Sequence, residues 1–125
     1  MTLYVIKFYP IENAYLIDPA PPAFEKDRFR WKLVNGDQIV VLWDRDVKEA
    51  ELAFHSHPTL SNTTRLSPIE GYEDEAFIPV QDCVKLTIKM VNPDAQWGFD
   101  FSCKIEGKQY IVDPEIQIGT SGTAG

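Results

Sequence analysis

Residues 97–105, WGFDFSCKI, alternate without a break: Trp97, Phe99, Phe101, Cys103 and Ile105 are apolar, and Gly98, Asp100, Ser102 and Lys104 fall between them. A period of two is the pattern of a strand with one face in a core and the other in water. The segments on either side extend this constraint. Residues 84–90, VKLTIKM, alternate in the opposite parity, with Val84, Leu86, Ile88 and Met90 apolar. If the two segments pair, even numbers meet odd: Met90 opposite Trp97 and Val84 opposite Cys103. After residue 105, Glu106-Gly107 reads as a two-residue hairpin loop with glycine where a positive φ is needed. It sets Cys103 opposite Tyr110 and Phe101 opposite Val112. A one-residue slip at either pairing would turn an apolar set out to water. The last third of the chain is therefore predicted to be a β-meander.

The rest of the chain reads as short strands and turns. Residues 2–9, TLYVIKFY, predict a first strand closed by Pro10. Residues 11–23 carry Pro19, Pro21 and Pro22 and predict an edge segment or a crossing loop, because proline cannot donate to a sheet ladder. Phe29, Trp31 and Leu33 alternate up to Asn35-Gly36, a hairpin signal. The next strand, residues 38–43 (QIVVLW), is apolar on both parities, as a central strand covered on both faces would be. Residues 47–51 fit either a helical turn or a strand start. Residues 55–72 form the longest loop, and residues 76–80 (AFIPV) a short edge strand carrying Pro79. With no long amphipathic pattern and no repeat, the expectation is an all-β fold: a two-sheet antiparallel β-sandwich of about seven or eight strands over residues 1–118. Residues 119–125, GTSGTAG, have flexible-linker composition.

Composition narrows the function classes. Apolar residues make up 44% of the 125, which is globular rather than disordered. The formal net charge is −7, and the densest basic run is only Lys26-Asp27-Arg28-Phe29-Arg30, which excludes nucleic acid and anionic membrane as main partners. Residues 1–10 lack the basic start, long apolar core and cleavage site of a signal peptide. No stretch approaches a membrane span. The chain reads as cytoplasmic. The predicted register sends Cys103 inward and Cys83 to the opposite face, so two free thiols are expected, as in a reducing compartment.

Three motifs resemble cupredoxin-like domains across residues 30–118. Val34-Asn35-Gly36-Asp37-Gln38-Ile39-Val40 resembles their x-x-G-D-x-I/V entry to a central strand. Ala50-Glu51-Leu52-Ala53-Phe54 resembles their H-x-V-x-F strand, and Phe99-x-Phe101-x-Cys103 their Y-x-Y-x-C strand. The resemblance implies a Greek-key sandwich of cupredoxin-like or immunoglobulin-like type. Blue-copper members hold the metal with two His, a Cys thiolate and usually a Met. Here Ala50 stands at the first His position, Cys103 at the Cys position, and the turn that follows has neither His nor Met. The implied domain is copper-free, and a lone buried Cys behaves as a small hydrophobe. The closing pattern, with Asp113-Pro114-Glu115-Ile116-x-Ile118, also resembles the end of the PixA/AidA inclusion-body proteins, with Val112 where those have Trp. That resemblance implies an abundant intracellular protein without enzymatic activity.

Among residues that could carry chemistry, His55-Ser56-His57-Pro58 is the sharpest. Residues two apart on an extended chain point the same way, so His55 and His57 could share a Zn or Cu ion. A carboxylate from Asp44, Asp46, Glu73, Asp74 or Glu75 could complete the set. The competing reading is two surface histidines at the mouth of a loop, and the lack of a third ligand at a diagnostic spacing favours it. No G-x-S-x-G elbow supports a hydrolase, and no Walker or G-x-G-x-x-G motif supports phosphate binding. Cys83, with Lys85 two residues on, is a weak thiol candidate. Asp27, Asp37, Asp44 and Asp46 could supply an acid pair for glycoside hydrolysis, or more simply make turns. Tyr15 and Tyr72 sit in predicted loops, where they either meet a partner or pin the loop down. The sequence thus predicts a non-enzymatic module without a cofactor, binding a protein partner or its own copies through loops or an edge strand. The alternative is a metal-binding protein using His55 and His57.

Overall fold

The computed structural model describes residues 1–23, 30–56, 65–81, 84–89 and 96–119, in which there are ten strands and no helix. No helix is long and apolar enough to cross a membrane among these residues. In chain order the strands are β1 (Leu3–Tyr9), β2 (Ala14–Asp18), β3 (Trp31–Leu33), β4 (Gln38–Trp43), β5 (Lys48–Ser56), β6 (Phe77–Pro79), β7 (Lys85–Thr87), β8 (Trp97–Ile105), β9 (Lys108–Val112) and β10 (Ile116–Ile118). They form a β-sandwich. One sheet has four strands in the order β2-β1-β4-β7. The other has six, in the order β3-β10-β8-β5-β6, with β9 also paired to β8.

Period-two burial drives the packing. Tyr4, Ile6 and Phe8 of β1 and Ile39 and Val41 of β4 point inward from the four-stranded sheet. Leu52 and Phe54 of β5 and Phe99, Phe101 and Cys103 of β8 meet them from the other. Phe8 stacks on Phe101 with ring centroids 4.4 Å apart and planes 5° from parallel, and Trp43 adds a second ring at 5.7 Å. The β8–β9 hairpin has the expected register, with Phe101 opposite Val112 and Cys103 opposite Tyr110. Its turn uses positive φ at both Glu106 (50°) and Gly107 (80°), the two-residue geometry that matches strand twist. Cys103 is a free, buried thiol; Cys83 lies outside the described residues.

Several expectations change. The segment 84–89 does not pair with β8. Its strand β7 pairs with β4, Ile39 opposite Leu86, in the four-stranded sheet. Leu86 and Ile88 still face the core, from the opposite side, while Val84 is exposed. Alternation tells which face of a strand is inward but not which sheet holds it. Asn35-Gly36 likewise turns the chain from one sheet to the other instead of closing a hairpin, since β3 and β4 lie in different sheets. The proline-rich segment contributes a true edge strand, β2, ahead of its prolines. Residues 48–56 are all strand. The strand count therefore exceeds seven or eight, helped by the break at residues 113–115 that separates β9 from β10. Two pairings, β1 with β4 and β3 with β10, are parallel. Residue 119 is buried and its N–H donates to the Leu33 carbonyl at 2.9 Å.

The crossing at residues 34–37 is held by one side chain. The Asp37 carboxylate, 3% exposed, accepts the Val34 N–H at 2.9 Å and the Thr2 N–H at 3.1 Å. It ties the start of β1 to the turn that feeds β4. Replacing it leaves two backbone donors to find other partners, at about 1–3 kcal/mol for each that stays unsatisfied. Asp37→Ala is expected to lower unfolding free energy by about 2–3 kcal/mol, read as a lower urea midpoint at unchanged slope.

Candidate functional site

His55 lies near the end of β5 on the outer face of the six-stranded sheet, directly opposite Gly98 of β8. A Cβ at Gly98 would sit 3.2 Å from His55 Nε2, so the imidazole lies over the space that the glycine leaves open. One step along the same face, Asp100 stands opposite Ala53. Beyond the end of β9, Asp113 Oδ1 accepts the Glu115 N–H at 3.1 Å, and Glu115 takes a positive φ of 54°. This tight turn breaks the strand and places both carboxyl groups beside His55. Together with Arg30 and Gln117 they line a concavity of about 410 Å³. Gln117 Oε1 is buried there and accepts no hydrogen bond.

The electrostatics of this face centre on Asp100. Burial pushes its carboxyl above the ordinary aspartate range; Asp113 pushes it further, and His55 works against them. A half-buried carboxyl destabilised in its charged form, beside a concavity, is a physical mark of a functional site. The groups here can accept hydrogen bonds, bind cations or hold a proton. The Ser102 hydroxyl, on the same face, donates to Glu51 at 3.4 Å. Cys103 points into the core, and burial, followed by the Asp44 charge, pushes its thiol up, away from the reactive thiolate.

The other candidates are dispersed. His57 and Asp27 lie outside the described residues. Asp44 and Asp46 sit before β5, and His55 near its far end. Seven strand steps from Lys48 to His55 span roughly 23 Å, so neither carboxylate can share an ion with His55. Asp44 instead pairs with Arg45 at 3.1 Å, which holds its carboxyl below the usual range. Glu73 accepts the Gly71 N–H at 3.2 Å, and backbone hydrogen bonds lower its carboxyl too. Tyr15 packs near Phe8, 6.5 Å between ring centroids; burial raises its hydroxyl, which accepts a hydrogen bond from Trp31. Tyr72 packs against the core, and its carbonyl accepts the Ser67 hydroxyl at 2.7 Å. Among the described residues no group of three or more His, Cys, Asp and Glu side chains is arranged to hold a metal ion.

A larger concavity, about 840 Å³, lies at the opposite end of the sandwich, lined by Arg45, Asp46, Lys48, Glu49, Lys104 and Glu106 among others. Its charges pair locally, Lys104 with Glu49 at 2.9 Å. A third exposed feature is β2, whose Leu16 is 64% exposed on the outer side of the sheet. Among the described residues β2 pairs only with β1, and no described strand takes its second edge. The Asp100–Asp113 grouping was not anticipated from the sequence; the one available signal was a carboxylate on the polar parity of β8, two residues from a glycine.

Comparison of the chain with protein-family models, curated proteins and solved structures finds no match.

A group whose folded pKa is raised adds stability that is complete below its unfolded pKa and lost as pH rises through the folded one. Asp100→Asn removes that loss. It is expected to raise the melting temperature at pH 7 and to leave it nearly unchanged below the ordinary carboxylate range. Thermal melts across pH 3–8 read the difference, and equal effects at both ends would rule out the electrostatic assignment.

Proposed function

We propose that the protein is a copper-free, cupredoxin-like Greek-key sandwich acting as a non-catalytic binding module, which takes up an extended segment along the outer edge of β2. The observation that carries the reading is that edge. An unpaired strand edge presents a row of N–H and C=O groups that an added strand can satisfy.

The cupredoxin-like assignment draws support from one corner of the sandwich. Two residues of β5, Glu49 and Ala50, bulge opposite the single residue Cys103, between the pairs Lys48–Lys104 and Glu51–Ser102. The positions that resemble the first His and the Cys of blue-copper domains therefore face each other. Ala50 has no ligating atom, and Glu106-Gly107 leaves no room for further ligands. The residues present do not fit a copper site, and no chemistry is assigned to one.

Peptides selected from a random display library should bind in extended form and slow amide exchange at residues 14–18. Leu16→Asp should weaken them by about tenfold or more, ~1.4 kcal/mol. Selected peptides that protect other segments, or no selection at all, would defeat the reading.

The second reading is the one the sequence offers, a cation site that uses His55 and His57; His55 lines the smaller concavity with Asp113 and Glu115. Stoichiometric Zn²⁺ should then raise the melting temperature, and His55→Ala should abolish the rise. An unchanged melting temperature with Zn²⁺ removes this alternative.

A further inference from the structure

The four-stranded sheet is apolar on both faces. The six-stranded sheet packs on its inner face. The outer face carries Leu3 and Val5 of β1, Leu16 of β2, and Val40 and Leu42 of β4. Leu16 is 64% and Leu3 41% exposed, and Val5, Val40 and Leu42 are half-buried. This is the source of the double parity in residues 38–43. A strand apolar on both sides reads as one covered on both, and among the described residues no strand lies over the second side. The outer face of the six-stranded sheet is different. There Phe77 is followed along its row by Ala53 and Asp100, and Ile111 by Ser102 and Glu51, so its exposed apolar side chains stand apart among polar ones. On the apolar face, Asp18, Val5, Val40 and Lys85 are register partners across all four strands, and Leu16, Lys7 and Leu42 across three. Lys7, the charge inside the patch, is drawn over the Tyr9 ring, 5.4 Å from Nζ to the centroid, and a lysine stem is itself apolar. Asp18 and Lys85 are exposed at opposite ends of their row, and among the described residues neither forms an ion pair.

We propose that this face packs on the same face of a second copy, sheet on sheet, with a two-fold axis along the strands, so that Asp18 of each copy meets Lys85 of the other. A partner for the face must be apolar at its centre, with a cation over Asp18 and an anion over Lys85. The face itself meets all three terms. A two-fold interface sets one patch against itself, and aligned stacked sheets keep their strand directions within about 30° of each other. Two axes keep the strands aligned. An axis across the strands sets Asp18 against Asp18 and Lys85 against Lys85. An axis along the strands, passing between Val5 and Val40, exchanges the ends of the row: Asp18 faces Lys85 and Val5 faces Val40. The contact is made by side chains and leaves the ladder groups of β2 free, so it is independent of peptide uptake along that edge. The face measures at most about 19 by 23 Å. That is at the small end of specific interfaces, so the association is reversible.

Sedimentation equilibrium of the full chain should show a monomer–dimer equilibrium. Val40→Asp, at the centre of the face, should weaken it by about tenfold or more, because it buries an unpaired charge. Asp18→Lys and Lys85→Asp, both at exposed positions outside the core, should each weaken it about fivefold. Mixed with each other, these two variants should pair more tightly than either does alone. The double reversal, Asp18→Lys with Lys85→Asp, should restore the dimer of the unmodified chain; it keeps the formal charge at −7, so the general repulsion between copies is unchanged. A chain that stays monomeric at its solubility limit overturns the proposal, and so does a dimer that a folded Val40→Asp chain still forms at full strength. If Val40→Asp does not fold, the reversal cycle decides. A dimer indifferent to both single reversals, or one that the double reversal fails to restore, overturns the axis and the proposal with it.

Discussion

The stack of Phe8 on Phe101 is the contact on which the two sheets depend. Phe8 belongs to β1, which sits inside the four-stranded sheet between β2 and β4. Phe101 belongs to β8, which pairs with β5 on one side and with β9 and β10 on the other. Each ring is fully buried and lies 4.4 Å from the other. A pair of this kind contributes through lost apolar surface, with about 0.5–1.5 kcal/mol more from the ring geometry. Because β8 and β1 each hold their neighbours by ladder bonds, fixing these two strands fixes most of the sandwich. Among the described residues, the surfaces left over are the outer faces, the edges and the turns.

Asp37 complements that apolar contact with a polar one. The chain must leave the six-stranded sheet after β3 and enter the other at β4 within residues 34–37, which leaves little backbone to satisfy itself. The turn closes with the Asp37 N–H on the Val34 carbonyl, and the carboxylate of the same residue returns to the Val34 N–H and reaches Thr2. The Asp37 carbonyl also accepts the Ile88 N–H. One residue thus orders the start of β1, the entry to β4 and the end of the β7 segment.

Local pattern revealed the faces and missed the partners. The period of two in residues 97–105 and the Glu106-Gly107 turn predict a hairpin whose register the structure keeps residue by residue, because the turn leaves no freedom in pairing. The same alternation in residues 84–90 identifies Leu86 and Ile88 as core residues but assigns them to the wrong neighbour, because six residues separate that segment from β8 and leave the choice of sheet open. Asn35-Gly36 is a true turn, yet a turn signal says nothing about whether the chain returns to the same sheet. Residues 14–18 were hidden by the prolines that follow them. The Asp100–Asp113 pairing is a tertiary product of the strand break at residues 113–115, and no spacing along the chain announces it.

The two ends of the outer face differ in how they treat like charges. At one end Lys48 and Lys104 face each other directly, an unfavourable cross-strand pair. The bulge that follows swings Glu49, at a φ of 53°, into contact with Lys104 at 2.9 Å, so the strand supplies its own counter-charge. At the other end Asp113 adds to the cost that burial places on a charged Asp100, and the opposing influence on Asp100 is the side chain of His55. That imidazole lies over a glycine, in space that any other residue on β8 would fill. The smaller concavity is lined by Gln117, whose buried amide oxygen accepts no hydrogen bond among the described residues, so a cation or a hydrogen-bond donor that reached it would lower its free energy.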